Sequence, residues 1–218
     1  MGYHSQSGED QIIESLINQL SITNGWFVEF GAKDGKTLSN TAHLMEDFGW
    51  SGVYIEANQL EADALKKSMF TNPNIYPIQA MVTSENINEI LATTPLPQDF
   101  DLLSIDIDGN DYWVWQAINY TPKIVCIEYN CNFHPTESMA LKYDPLHTWI
   151  QDKNYGASAL ALTRLGKRKG YRLVSYTFQL NLFFVREDLA ENMPRYDVNN
   201  ILKSNCHHGY TDKFILVD

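Results

Sequence analysis

The run DLLSIDIDGNDYW, residues 101–113, ends an apolar, strand-like segment in three acids, Asp106, Asp108 and Asp111, with only Ile107, Gly109 and Asn110 between them. Carboxylates this close repel one another unless solvent, hydrogen-bond donors, a cationic group or a metal ion offsets them. Asp106 and Asp108 stand two residues apart, the spacing that turns both side chains to one face of an extended strand. A second apolar run, KIVCIEYN at 123–130, ends in Glu128 and Asn130 with the same spacing. As neighbouring strands of one sheet, the two runs would bring Asp106, Asp108, Glu128 and Asn130 together. Such an all-oxygen donor set suits Mg²⁺, Ca²⁺ or Mn²⁺. A divalent ion there would bind a hydroxyl or diol and lower its pKa. The competing reading gives Asp106 a hydrogen-bonding role toward a ligand, while Asp108 and Asp111 open a helix over DGNDYWVWQAI, where acids are favoured. Without an ion a side chain must accept the proton, and His134, just after the second run, and His4 are the candidates.

The elements that would position these residues alternate along the chain. EDQIIESLINQL places Ile12, Ile13, Leu16, Ile17 and Leu20 on one helical face after Ser7, a helix with acids in its first turn. Strand-like runs follow at 26–31, 52–57, 74–82, 101–107 and 123–130, separated by segments long enough for crossover helices. Near-continuous apolar strands joined by helices predict a parallel sheet covered on both faces. The last two runs, YRLVSYTF and NLFFVRE, are almost contiguous and predict an antiparallel hairpin. The expected fold is therefore α/β, a Rossmann-like, doubly wound, mainly parallel seven-stranded sheet with a C-terminal antiparallel hairpin. Ligands of such sheets bind at the carboxyl ends of the strands near the topological switch point.

The first strand-like run ends VEFGAKDGKTLSNT, so Glu29, Gly31, Ala32 and Gly35 precede a helix expected to contain Leu38 and His43. Glycines here permit a tight turn and close approach of a ligand. The spacing is neither the dinucleotide fingerprint nor a phosphate-binding lysine loop. Glu56 ends the second run, about 20 residues beyond the loop, where an acid can accept hydrogen bonds from both ribose hydroxyls of an adenosine. The long segment from Cys131 to Tyr155 carries Tyr143, Trp149 and Tyr155 and reads as a lid or binding loop whose aromatic rings would stack on a sugar.

A chain of 218 residues, 44% hydrophobic and 20% charged, is sized for one domain, expected over 1–218. Its net charge of -11 argues against a polyphosphate partner, so no nucleic acid is expected. The basic stretch RLGKRKGYR reads as the C-terminal end of a helix. A basic and apolar leader and an apolar run near ~20 residues are both missing, so no membrane span is expected. Cys126, Cys131 and Cys206 form no disulfide framework, and a cytoplasmic location is the expectation. NCHHGY, with Cys206, His207 and His208, reads as a surface turn.

SQSGEDQIIE, FVEFGAKDGKTLSNT, GVYIEAN, LLSIDIDGNDYWVW and VCIEYN occur in the order found in FkbM-type S-adenosylmethionine-dependent methyltransferases, a class I family that the chain resembles over roughly residues 3–188. The resemblance implies Glu29, Gly31, Ala32 and Gly35 around the methionine part of S-adenosylmethionine, closed off by Ser5 and Gln6. It further implies Glu56 on the ribose, Gln79 and Ala80 near the adenine, and Asp106 beside the cofactor. The Asp106, Asp108, Glu128 and Asn130 set resembles the metal site of catechol O-methyltransferase-like enzymes, except that Tyr129 separates the acid from the amide. The implied activity is methyl transfer to a hydroxyl of a carbohydrate or related small metabolite, with Mg²⁺ or Mn²⁺ as the candidate ion and Asp106 and His134 as catalytic groups. The acceptor would be a small molecule or glycan, and a homo-oligomer is compatible with the sequence. A metal-dependent nucleotide-sugar glycosyltransferase and a non-catalytic adenosine-ligand-binding protein are the alternatives.

Overall fold

A computed structural model describes residues 4–201 and 212–218. The motif with Cys206, His207 and His208 lies outside the described residues. The strand-like runs become β1 (Trp26–Phe30), β2 (Ser51–Glu56), β3 (Ile75–Gln79), β4 (Leu102–Ile105) and β5 (Ile124–Glu128). The hairpin becomes β7 (Tyr171–Tyr176) and β8 (Asn181–Arg186), after a short β6 (Met139–Leu141) in the loop beyond β5. The main sheet has the order β3-β2-β1-β4-β5-β8-β7. β1 through β5 run parallel, and β8 is antiparallel to both β5 and β7. The order reverses between β1 and β4, which is where a doubly wound sheet opens its ligand crevice. The expected fold class is thus observed. Pro77, which cannot donate to a ladder, lies in the edge strand β3, as its missing N–H requires.

The helices are α1 (Glu9–Gln19), α2 (Ala42–Phe48), α3 (Gln59–Met69), α4 (Ile87–Ala92), α5 (Asp111–Ala117), α6 (Ala159–Arg168) and α7 (Val198–Ile201). Leu38, expected inside the helix after the glycine loop, instead sits before α2 at φ 60°. Successive residues of each strand face opposite layers, so both faces are apolar. On one face Val28, Val53, Leu103, Val125 and Phe184 join Leu91, Trp115 and Leu162. On the other, Phe27, Leu102, Ile124 and Phe183 join Ile13, Leu16 and Ile17 of α1 with Leu44 and Leu65. The i, i+3, i+4 spacing of those α1 residues makes their burial possible, worth about 1.5–3 kcal/mol each as an upper bound.

The α1 face also carries a polar row. Tyr54 pairs with Glu29, Glu29 with Ser104, and Ser104 with Cys126 across four adjacent strands. Two residues further along each chain come Glu56, Gly31, Asp106 and Glu128, at the carboxyl edge. A second, two-stranded sheet pairs β6 with β9 (Phe214–Leu216). It ties the loop after β5 to the C-terminal residues, helped by the edge-on contact of Phe133 with Phe214. Among the described residues no helix is long and apolar enough to cross a membrane.

Candidate functional site

The glycine loop is dictated by close approach. Gly31 has φ 70°, and a Cβ there would stand 2.1 Å from the carbonyl oxygen of Asp106. Only glycine tolerates both the left-handed backbone and that contact. The Gly31 and Ala32 N–H groups both donate to Ile55 O, holding the loop against the end of β2. Gly35, at φ 80°, lies against Leu65 and Met69 of α3. Asp34 accepts from the N–H groups of Lys36 and Thr37, and these hold its carboxyl below the usual range despite some burial.

Glu56 is only 8% exposed. Its Oε2 accepts from Lys33 N at 2.8 Å and its Oε1 from Asn58 N at 2.7 Å. Each oxygen retains capacity for another donor. Ala80 N donates to Glu56 O, and the exposed Gln79 side chain donates to Ala57 O, so β3 and β2 end together beside this acid.

Glu29, expected near the methionine part of the cofactor, has local partners. Its carboxylate is buried and accepts from Ser39 Oγ and Thr41 Oγ1 at 2.6 Å each and from Asn40 N at 2.8 Å. Burial raises its pKa and these donors oppose the rise. Glu29 therefore braces the chain entering α2, with two donors on Oε2 and one, Asn40 N, on Oε1. Ser5 is likewise engaged, donating from Oγ and N to Asp10, while Gln6 is exposed.

The three aspartates do not share a strand face, because β4 stops at Ile105 and Asp108 adopts φ 55°. Asp111 begins α5 and accepts from Ile107 N at 3.0 Å and Gly109 N at 2.9 Å, folding the loop around itself. Asp106 and Asp108 nevertheless meet Glu128. One carboxylate oxygen of each lies within 4.8 Å of the others. Glu128 Oε2 is buried with no hydrogen-bond partner among the described residues. Burial, then Asp108 and Asp111, push Asp106 up to about 8, with Lys33 opposing. Burial, then Asp106, Asp111 and Asp108, raise Glu128 well above the carboxylate range. Burial and Asp111 also raise Asp108, opposed by Lys33 and His147.

Asn130 is not free to join them. Its amide donates to Lys153 O and Tyr155 O, and its Oδ1 accepts twice from Asn132. It is a fully buried fastener of the long loop, and the structure does not bring it into the acid cluster. His134 is exposed, with Nδ1 hydrogen-bonded to Thr136 Oγ1.

The loop after β5 does lie over the site. Asn110 Nδ2 donates to Asp144 O at 2.7 Å and Trp113 Nε1 to Leu141 O at 2.7 Å. Tyr143 meets Trp113 edge-on and hydrogen-bonds Glu85. Trp149 meets Tyr155, with ring centroids 5.8 Å apart, and Leu146 and Ile150 beside them are 82% and 73% exposed. The residue that sequence reasoning missed is His147. Its ring lies on Gly109, where a Cβ would come within 2.4 Å of Cδ2. Its Nε2 is buried without a partner among the described residues. The one available signal was Gly109 itself, between two aspartates.

No family model matches the chain, and no curated protein matches it. Solved structures do. An O-methyltransferase family protein from Burkholderia thailandensis aligns with TM-score 0.52 and 8% identity over 81% of this chain and 54% of its own. The Methanococcus jannaschii fibrillarin pre-rRNA processing protein gives 0.51 and 13% over 76% and 67%. The N-terminal domain of EvdMO1 with S-adenosylhomocysteine bound gives 0.50 and 10% over 81% and 79%. Identities this low speak to architecture alone: the chain has the Rossmann-like fold of class I S-adenosylmethionine-dependent methyltransferases.

Proposed function

We propose that residues 1–218 form one methyltransferase domain of FkbM type that transfers a methyl group from S-adenosylmethionine to a hydroxyl of a carbohydrate or related small metabolite. The observation that carries this reading is the edge of the sheet at the β1/β4 switch point. There Gly31, Glu56, Asp106 and Glu128 end four adjacent strands of a methyltransferase fold. Glu56, with a spare acceptor position on each oxygen, binds the two ribose hydroxyls. Gly31, Ala32 and Gly35 shape the floor under the methionine part, and Gln79 and Ala80 border the adenine. Ser5 and Gln6 line the N-terminal approach.

Asp106, Asp108 and Glu128 are the residues that would hold a divalent ion. They fit one because one carboxylate oxygen of each lies within 4.8 Å of the others and Glu128 Oε2 is buried with no partner among the described residues, a crowding that a hard cation relieves and that otherwise raises their pKa values. When bound, Mg²⁺ or Mn²⁺ would supply Lewis-acid polarisation of the acceptor hydroxyl. Asp106, on the strand end nearest Gly31, orients that hydroxyl toward the methyl donor. His147, which lies over the aspartate loop, joins His134, on an exposed turn, as a candidate for the group that takes the proton. The aromatic and apolar strap of Tyr143, Leu146, Trp149, Ile150 and Tyr155 supports a sugar-like acceptor, whose ring faces stack on such surfaces.

The test is incubation with S-adenosylmethionine and a panel of sugars, oligosaccharides and nucleotide sugars, in Mg²⁺ and in EDTA, with S-adenosylhomocysteine read by mass spectrometry. Product formed only with hydroxyl-bearing acceptors is expected. Equal product with acceptors whose hydroxyls are blocked would contradict oxygen methylation.

A further inference from the structure

The resemblance implied Glu29, Gly31, Ala32 and Gly35 around the methionine end of the cofactor, closed off by Ser5 and Gln6; of these only Glu29 is an acid, and its carboxylate already accepts from Ser39, Asn40 and Thr41. The methionine end of S-adenosylmethionine carries an α-ammonium group, which in a water-poor crevice needs an anionic or carbonyl acceptor. The carboxylates on the α1 side of the crevice narrow the choice. Asp10 accepts from His4 N, Ser5 N, Ser5 Oγ and Gln11 N. Glu46 is exposed to Lys36 and His4, which both bond it. Glu9 differs from all of these. It is 0% exposed, its Oε2 accepts from Ser7 N at 2.7 Å, and its Oε1 is buried with no partner among the described residues.

Topology puts Glu9 at the right edge. α1 runs from Glu9 to Gln19 and leads through a short connection to Trp26, where β1 begins. Its Ile13, Leu16 and Ile17 lie on the sheet with Phe27, Leu102 and Ile124. The helix thus descends toward the start of β1, and its own first residue returns to the carboxyl edge. The Cys126 thiol of β5, raised first by burial, is raised further by Glu9, Glu29 and Asp106. That places Glu9 in the neighbourhood of the polar row beneath the crevice. It is not one of the three clustered acids, Asp106, Asp108 and Glu128.

The direction of the cofactor follows from Glu56. With the ribose held at the end of β2, one side of the nucleoside leads to β3 and the sheet edge, and the other crosses Gly31 toward β4, β5 and the start of α1. Adenine fits the β3 side, where Glu56, Ala57 and Ala80 close the strand ends. The amino-acid tail then runs toward α1.

We propose that Glu9 is a cofactor-binding residue whose free Oε1 receives the α-ammonium group of the methionine part of S-adenosylmethionine, with Ser7 N–H holding the carboxylate in place through Oε2. The proposal rests on the methyltransferase reading above. It also accounts for a costly feature, a buried carboxyl oxygen without a donor among the described residues.

The experiment compares the wild-type chain with Glu9→Gln by calorimetry in EDTA, using S-adenosylhomocysteine and 5′-methylthioadenosine as probes. The second probe keeps the nucleoside and lacks the amino acid. Glutamine keeps the size of the side chain and its bond to Ser7. Expected is a loss of affinity for S-adenosylhomocysteine of roughly tenfold or more, with affinity for 5′-methylthioadenosine unchanged. The ligand-free variant should melt cooperatively at or above the wild-type temperature. Unchanged binding of S-adenosylhomocysteine, or equal weakening of both probes, would overturn the assignment. So would a variant that fails to fold, because Glu9 would then be a structural partner. Wild-type protein that binds neither probe would instead refute the cofactor reading itself, and the role of Glu9 would fall with it.

Discussion

Replacing Glu128 with glutamine should make the ligand-free protein more stable and remove its response to Mg²⁺. The carboxylate oxygens of Asp106, Asp108 and Glu128 lie within 4.8 Å of one another, and at that separation each ionised pair repels by ~3.5 kcal/mol at an effective dielectric of about 20. Partial protonation relieves much of this, because burial and the neighbouring acids push Asp106 up to about 8 and raise Glu128 further above its ordinary range. The gain from removing one acid at neutral pH is then about 1–2 kcal/mol, or roughly 2–8 °C in melting temperature for a chain of this size. Raised folded-state pKa values set the pH dependence. Their stabilisation is complete below the unfolded carboxylate pKa and is lost as pH rises through the folded value, about 8 for Asp106. Wild-type protein in EDTA should therefore lose stability from about pH 4 to about pH 8, and Glu128→Gln should lose less. Thermal melts across that range, repeated with millimolar Mg²⁺, read all of this: only the wild type should gain from the ion. A variant less stable than wild type in EDTA, or an equal Mg²⁺ response in both, would refute the acid set as an ion site.

Three further outcomes follow from the same geometry. Glu56→Ala should weaken S-adenosylhomocysteine binding by roughly tenfold or more, because it removes the ribose acceptor and frees Lys33 N and Asn58 N; calorimetry checks it. Gly31→Ala should destabilise by about 3 kcal/mol or more in urea unfolding, since its Cβ would meet Asp106 O at 2.1 Å in a left-handed backbone. Asn130→Ala should cost about 2–4 kcal/mol by loosening the loop it fastens, while Mn²⁺ affinity measured by electron paramagnetic resonance stays unchanged.

The strands were legible because each apolar run is bounded by polar or glycine residues, and the hairpin because Tyr171–Tyr176 and Asn181–Arg186 are nearly contiguous. The acid cluster was legible only as a set of types. The argument from strand spacing fails, since β4 ends before Asp106 and Asp108 sits at φ 55°; a loop turned back by Asp111 brings the acids to Glu128 instead. Hydrogen-bond saturation leaves no trace in sequence. Glu29 and Asn130 resemble free strand-end ligands until Ser39, Thr41 and Asn132 are seen to bond them. The reverse holds for Glu9 and His147, whose types are ordinary for a first helical turn and a loop. What distinguishes them is a buried atom without a partner, a property of packing between segments far apart in the chain.

The central claim, a methyltransferase crevice at the β1/β4 switch point, is tested most directly by titrating S-adenosylhomocysteine into the purified wild-type chain by calorimetry, once in EDTA and once in Mg²⁺. Saturable binding is predicted in both, with heat or affinity shifted by the ion seated beside the cofactor. A cooperatively folded protein that shows no saturable binding in either condition would contradict the account.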